Sequence, residues 1–220
     1  TLWVWGLNEF GGCAQNISTN SNEGRSSPVQ VGTDTDWSTE IGVGPSQFCA
    51  AIKTNGTLWM WGKNSKGQLA QNDSITGYSS PVQIPGTTWS KLIGSASGGG
   101  NEGWYGALKT DGTLWMWGSS REGNTMGQNQ PDNSRYSSPV QVPGTWSSMT
   151  AGWISVGATK TNGELWVWGQ NPAGALGQNE SPSGRYGYSS PVQVPGTWSG
   201  VEGGGTPGGI GFIGLKDNAI

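Results

Sequence analysis

Histidine is absent from all 220 residues. That removes the Ser-His-Asp and Cys-His arrangements of nucleophilic catalysis and every metal triad built on imidazole. The two cysteines, Cys13 and Cys49, occupy apolar positions. They read as reduced packing thiols, with a disulfide across neighbouring units as the alternative in an oxidising compartment. Two thiols without histidine make no convincing zinc site. Asp34 and Asp36 form an Asp-x-Asp without the Gly and Glu of a complete calcium loop, so solvated turn residues are the simpler reading. The 14 acids are scattered through turns and form no polar cluster, although glycosidase carboxylates need not be close along a chain. Gly98-Gly-Gly100 and Gly203-Gly-Gly205 lack a following Lys-Ser or Lys-Thr and are not phosphate cradles. The reading is of no catalytic residue, no metal site and no cofactor: not an enzyme.

What the chain offers instead is a tryptophan pair that returns four times. It stands in Thr1-Leu-Trp-Val-Trp-Gly6, Thr57-Leu-Trp-Met-Trp-Gly62, Thr113-Leu-Trp-Met-Trp-Gly118 and Glu164-Leu-Trp-Val-Trp-Gly169. A period of roughly 50 residues marks an array of one supersecondary unit. Each unit continues through Gln-Asn (Asn16, Asn72, Asn129, Asn179), Ser-Ser-Pro-Val-Gln and Trp-Ser (Trp37, Trp89, Trp146, Trp198). The first three close on Lys-Thr at Lys53, Lys109 and Lys160. The whole chain divides into repeats at about 1–56, 57–112, 113–163 and 164–220, within a single domain.

Strands must carry these motifs. Asn55-Gly56, Asp111-Gly112 and Asn162-Gly163 predict two-residue type I′ turns between antiparallel strands. The strand before each turn is small and apolar; the strand after it sets Leu and Val or Met on one face and two tryptophans on the other. With both faces apolar, the strand must be covered on both sides. The chain therefore reads as all-β, with about four short strands per unit. Trp3, Trp5, Trp59, Trp61, Trp115, Trp117, Trp166 and Trp168 are expected as core between stacked sheets, because eight indoles left in water would make a sticky surface.

Gly-x-Leu-x-Gln-Asn after Trp-Gly, then Ser-Ser-Pro-Val-Gln, then Lys-Thr-Asn-Gly-Thr-Leu-Trp together resemble the repeat of the regulator-of-chromosome-condensation (RCC1-like) family. The resemblance covers the whole chain and implies a β-propeller, with blades of about four antiparallel strands around a central axis. It implies too that the Gly/Ala-rich strand, with Gly106, Gly157 and Gly214, lies innermost. Two features depart from the family: it usually carries about seven blades where this chain has four units, and its inner strand often bears a histidine. A closed four-blade ring, part of a larger propeller, and an assembly completed by neighbours all stay open. The C-terminal strand stops where a strand like Thr1–Gly6 would begin. The two edges are complementary, and they close a ring within one chain or join chains head to tail.

Charged residues make up 11% of the chain and its net charge is −3, against the basic footprint that nucleic acid requires. The chromatin and nucleotide-exchange roles of the family's founding member are therefore not expected. No apolar stretch is long enough for a spanning helix, so no membrane insertion is expected. Few lysines and much Ser, Thr, Asn and Gly point to an extracellular, cell-surface or virion setting. The variable loops offer Arg25, Tyr78, Arg135, Tyr136, Arg185, Tyr186 and Tyr188, residue types favoured at contact hot spots, although a tyrosine before Ser-Ser-Pro also packs well on the proline. Trp104 and Trp153 lie outside the repeated positions and are further candidate anchors. The expected function is a non-enzymatic structural or protein-interaction module, extracellular or on a virion such as a bacteriophage, assembling through edge strands and loops. A secreted inhibitor or receptor-type propeller and a glycan-binding lectin are the alternatives.

Overall fold

The computed structural model describes residues 1–17, 24–44, 47–73, 75–94, 103–119, 124–130, 134–180, 187–204 and 211–217. Among them the chain is all-β, with two single-turn 3₁₀ segments at Glu9–Gly11 and Pro172–Gly174. The strands are β1 Trp3–Gly6, β2 Arg25–Gln30, β3 Trp37–Gly44, β4 Phe48–Lys53, β5 Leu58–Lys63, β6 Gly77–Ile84, β7 Trp89–Gly94 and β8 Trp104–Lys109. They continue as β9 Leu114–Ser119, β10 Arg135–Val142, β11 Trp146–Ala151, β12 Ser155–Lys160, β13 Glu164–Gln170, β14 Gly187–Gly203 and β15 Phe212–Lys216.

Hydrogen bonding sorts them into antiparallel blades in the orders β3-β4-β5-β6, β7-β8-β9-β10 and β11-β12-β13-β14. Each blade takes two strands from one sequence unit and two from the next. β14 runs on past Pro195-Gly196, and its residues 198–203 pair with β15. β1 pairs only with β2. The arc thus holds three whole blades between two half-blades, and among the described residues the outer edges of β1 and β15 have no partner strand. The described residues form an open arc, not a closed four-blade ring.

The turns differ from the expected type I′. Gly56, Gly112 and Gly163 are left-handed at φ +77, +80 and +81, whereas Asn55, Asp111 and Asn162 are not. Gly56 N–H donates to Lys53 O at 2.9 Å, and Lys53 N–H to Thr57 O at 2.9 Å. This is a type I turn followed by a left-handed glycine, the three-residue hairpin loop. The reason is side-chain chemistry. Asn55 Oδ1 accepts from Thr57 N–H (3.1 Å) and Oγ1–H (2.7 Å), and Asp111 Oδ1 does the same for Thr113, so the residue before glycine is held by its own side chain.

Blades stack Trp face on Leu face. Trp166, Trp168, Val156 and Ala158 share one cluster with Leu114, Met116 and Val142 of the preceding blade. β3, β7 and β11 lie against one another, so the blades converge on their first strands. The Gly/Ala-rich strands β4, β8 and β12 are therefore second from the axis and not innermost, which corrects the expectation. Their small residues answer to crowding by the flanking strands of the same blade: a Cβ on Gly106 would lie 2.7 Å from Met116 Sδ and 2.9 Å from Ile93 Cγ2, its two cross-strand partners.

The second indole of each whole blade is buried: Trp61 is 2% exposed, and Trp117 and Trp168 are 0%. Trp59, Trp115 and Trp166 are half-buried. Trp3 and Trp5 break the pattern at 49% and 63% exposed. Their face looks toward a preceding blade, and theirs is the first sheet of the arc, so the expectation of core is corrected for these two.

Candidate interaction site

Every whole blade carries a lysine between two indoles. The Lys53 ammonium lies 5.1 Å from the ring centres of both Trp37 and Trp59. Lys109 sits 4.7 Å from Trp89 and 4.6 Å from Trp115, and Lys160 5.7 Å from Trp146 and 4.0 Å from Trp166. Such contacts contribute about 0.5–1 kcal/mol each at exposed sites. The sequence reading missed these lysines, although their place two residues before Asn-Gly or Asp-Gly was the signal. Lys216 in the last half-blade has one indole, Trp198, at 5.5 Å.

Blade-to-blade hydrogen bonds repeat as regularly. Trp61, Trp117 and Trp168 Nε1–H donate to the carbonyls of Gly12, Gln68 and Thr125, at 2.9, 3.0 and 2.8 Å. The left-handed Asn16, Asn72 and Asn129 donate N–H to Ser79, Ser137 and Ser189 of the following blade, at 2.8, 2.6 and 2.8 Å. Asn8, Asn64 and Asn171, also missed in the sequence, are buried and accept through Oδ1 from Cys13, Leu69 and Leu176 N–H. They shape the step from which the indole acceptors project, and the recurring Trp-Gly-x-Asn was the available signal.

The loop candidates are largely spent inside the fold. Tyr78 packs on the core and donates its hydroxyl to Asp73, which pushes the phenol up to about 12. Tyr136 and Tyr188 pack on the neighbouring cluster, and Tyr188 donates to Glu180. Arg25 is half-buried at the start of β2, and Arg135 is exposed at the start of β10. Arg185 and Tyr186 lie outside the described residues. Trp104 is 4% exposed, which removes it as a surface anchor, and Trp153 is half-buried before β12. The structure does not bring these residues into one patch.

Cys13 and Cys49 are free and buried. Burial first, and then the neighbouring Cys13, push the Cys49 thiol up to about 12. Asp34 and Asp36 hold the Lys53 ammonium at 2.7 and 3.3 Å, so this pair serves a lysine rather than standing free in water.

Two turn carboxylates contribute to the acid limb of stability. Thr113 hydrogen bonds hold Asp111 below its ordinary 3.8, and Trp166 Nε1–H, then Lys160, hold Glu164 below its ordinary 4.5. A depressed folded pKa stabilises above the unfolded value and is lost as pH falls through the folded one. Thermal stability is expected to decline below about pH 4, and Asp111→Asn, which keeps the turn as Asn55 does, to flatten that decline in a melting-temperature series.

The sequence pattern of the family described as "Regulator of chromosome condensation (RCC1) repeat" matches residues 39–68 and, in a second form, 55–101. RCC1 domain-containing protein RUG3, mitochondrial, of Arabidopsis thaliana is 26% identical over 198 residues, covering 88% of this chain and 42% of that protein. Human Protein RCC2 is 30% identical over 143 residues, 61% of this chain and 26% of its own length. The solved structure of Saccharomyces cerevisiae Prp20p, studied with its binding to Gsp1p and histones, overlays 98% of this chain with a TM-score of 0.71 at 16% identity. The chain covers 52% of Prp20p, 42% of RUG3 and 26% of RCC2, so it spans about half or less of the relatives it matches. The expected extracellular, cell-surface, virion or bacteriophage setting is corrected by these relatives, of which one is mitochondrial and another binds histones. Low charge here belongs to the repeat itself, whose glycines and indoles are demanded by packing between blades, and is no sign of compartment. Motifs recurring in one order, four-stranded blades stacked into an arc and matching relatives agree: residues 39–101 match the RCC1 repeat, and the chain as a whole is built from RCC1-like repeats in a β-propeller arrangement.

Proposed function

We propose that this chain is a non-enzymatic protein-interaction module that docks through its two open half-blades. One observation carries the reading: of the eight exposed large apolar side chains among the described residues, six, Trp3, Trp5, Ile41, Val43, Ile213 and Leu215, lie on sheet faces that a neighbouring sheet covers elsewhere in the arc, and only Leu7 and Ile75 lie in loops. Among the described residues, each half-blade adds an outer edge, along β1 or β15, whose backbone donors and acceptors meet no partner strand. An apolar edge of this kind pairs with another strand or aggregates. The protein binding studied for Prp20p agrees in kind with an interaction role. The sealed Cys49 thiol and the engagement of Asp34 and Asp36 by Lys53 support a non-enzymatic reading. Against glycan stacking, the faces of Trp146 and Trp166 are already met by Lys160.

Amide hydrogen exchange tests this. In the dilute free chain β1 and β15 are expected to exchange at least about 100-fold faster than β4, β8 and β12, and to become protected in a complex. Protection confined to the loops, with both edges unchanged, would transfer docking to the loops.

A further inference from the structure

We infer that the lysine of the middle blade, Lys109, is a docking point for a carboxylate carried by an acidic segment of a protein partner. Lys109 ends β8, and the blade that holds it lies between two other whole blades. The site is separate from the sheet edges above and stands or falls without them.

The three lysine sandwiches share one geometry and differ in their charge balance. Lys53 has Asp34 at 2.7 Å and Asp36 at 3.3 Å, and Lys160 has Glu164 at 3.3 Å. Lys109 stands between Trp89 at 4.7 Å and Trp115 at 4.6 Å, yet no carboxylate of the described residues forms an ion pair with it. The sequence supplies the reason. Pro85-Gly-Thr-Thr88 carries no acid where the loop before Trp37 carries Asp34 and Asp36, and Thr113 stands where Glu164 does. Asp111 is the nearest acid along the chain, but its Oδ1 is taken by Thr113 N–H and Oγ1–H at 2.9 and 2.7 Å.

Most surface lysines gain little from an ion pair, because pairing freezes a long side chain. Here two indoles already hold the stem, so an arriving carboxylate meets an ordered donor. The ammonium occupies the ring faces on both sides of it, and a cationic ligand finds no indole to stack on. Space for a peptide recurs with the motif. A cavity of about 360 Å³ beside Lys160 is lined by Trp146, Trp166, Gln128, Asn129, Pro143 and Pro191. Trp89, Trp115, Gln71, Asn72, Pro85 and Pro139 hold the equivalent positions around Lys109. Two blades thus fill the place with their own carboxylates, and the blade between them leaves it to a partner.

The test titrates the 220-residue chain, with ¹³C-labelled lysine, with N-acetyl-triglutamate amide, and with the triglutamine amide at equal ionic strength. The Lys109 Cε–Hε signals are expected to shift and saturate, with a dissociation constant of about 1–10 mM for so exposed a pair. Those of Lys53 and Lys160 are expected to move at least about 5-fold less, because Asp34 and Glu164 already fill the place. Glu164→Gln, which keeps an acceptor for Trp166 Nε1–H, is expected to bring Lys160 up to the response of Lys109. Lys109→Met keeps an apolar stem between the indoles and is expected to weaken the response of Trp115 Nε1–H to the peptide at least about 5-fold. Parallel shifts at all three lysines of the unsubstituted chain, an equal response to triglutamine, or no saturation at Lys109 by about 50 mM peptide overturns the docking point. A Trp115 response that survives Lys109→Met overturns the assignment to this lysine. None of these outcomes touches β1 or β15, whose hydrogen exchange reports on edge docking alone.

Discussion

Trp117→Ala is expected to cost about 3–5 kcal/mol of unfolding free energy, enough to abolish the cooperative urea transition or shift it far toward zero denaturant. The indole is 0% exposed, stacks on Tyr105 with ring centres 6.2 Å apart and meets the edge of Trp89 at 6.1 Å. Its Nε1–H donates to Gln68 O at 3.0 Å, so truncation leaves both an interblade void and an unpartnered carbonyl. Rigid blades on both sides prevent the site from collapsing. Trp5→Ala, at the equivalent position of the first half-blade, is expected to change the stability of the free chain by under about 1 kcal/mol, because that indole is 63% exposed. Urea titrations of the two variants at low protein concentration check the pair, and equal losses would show Trp5 packed in the free chain.

Gly62→Ala is the second large effect, expected at roughly 3 kcal/mol or more. Gly62 sits at φ +94, where an L side chain is strained, and a Cβ there would lie 2.2 Å from Gln47 O and 2.8 Å from Phe48 Cα. Both obstacles are backbone, and Gln47 O is held in place as the acceptor of Lys63 N–H at 3.0 Å. Nothing can shift without opening the joint between β4 and β5. Gly6 shares the positive φ at +110 but has nothing within 4 Å. Gly6→Ala should carry only the backbone term, about 1–2 kcal/mol. The urea midpoint of Gly62→Ala is accordingly expected well below that of Gly6→Ala.

The fold was legible because one solution had to recur at every unit. A strand with Leu on one face and two tryptophans on the other demands cover on both sides wherever it appears, and four copies in register specify stacked sheets. Turn type was less legible. Asn-Gly and Asp-Gly announced a hairpin, but whether Asn55 turns left-handed depends on whether its side chain finds Thr57, a competition that a dipeptide does not display. The lysine sandwich was hidden for a related reason. Lys53 and its partners Trp37 and Trp59 are separated along the chain and meet only when three strands lie side by side.

The candidate site was half legible. Complementary ends are visible in the chain order, since a unit that closes on a lysine strand is followed by one that begins with Thr-Leu-Trp. The loop arginines and tyrosines, chosen by residue type, misled where the fold absorbed them: Tyr78 is held by Asp73, and Trp104 is buried between blades. Residue type says what a side chain prefers to contact and not whether a neighbour has already claimed it.

The order and nature of the strands, the tryptophan core and the poverty of reactive groups were determined by the sequence alone, because each follows from local periodicity and composition. Which Trp pair would be left uncovered, and that Leu165, Val167, Leu176 and Val194 border a cavity at the far end, was decided only by the tertiary structure. Burial is a property of neighbours. Trp5 and Trp61 occupy equivalent places in their repeats, and they differ only in whether a preceding sheet stands against them.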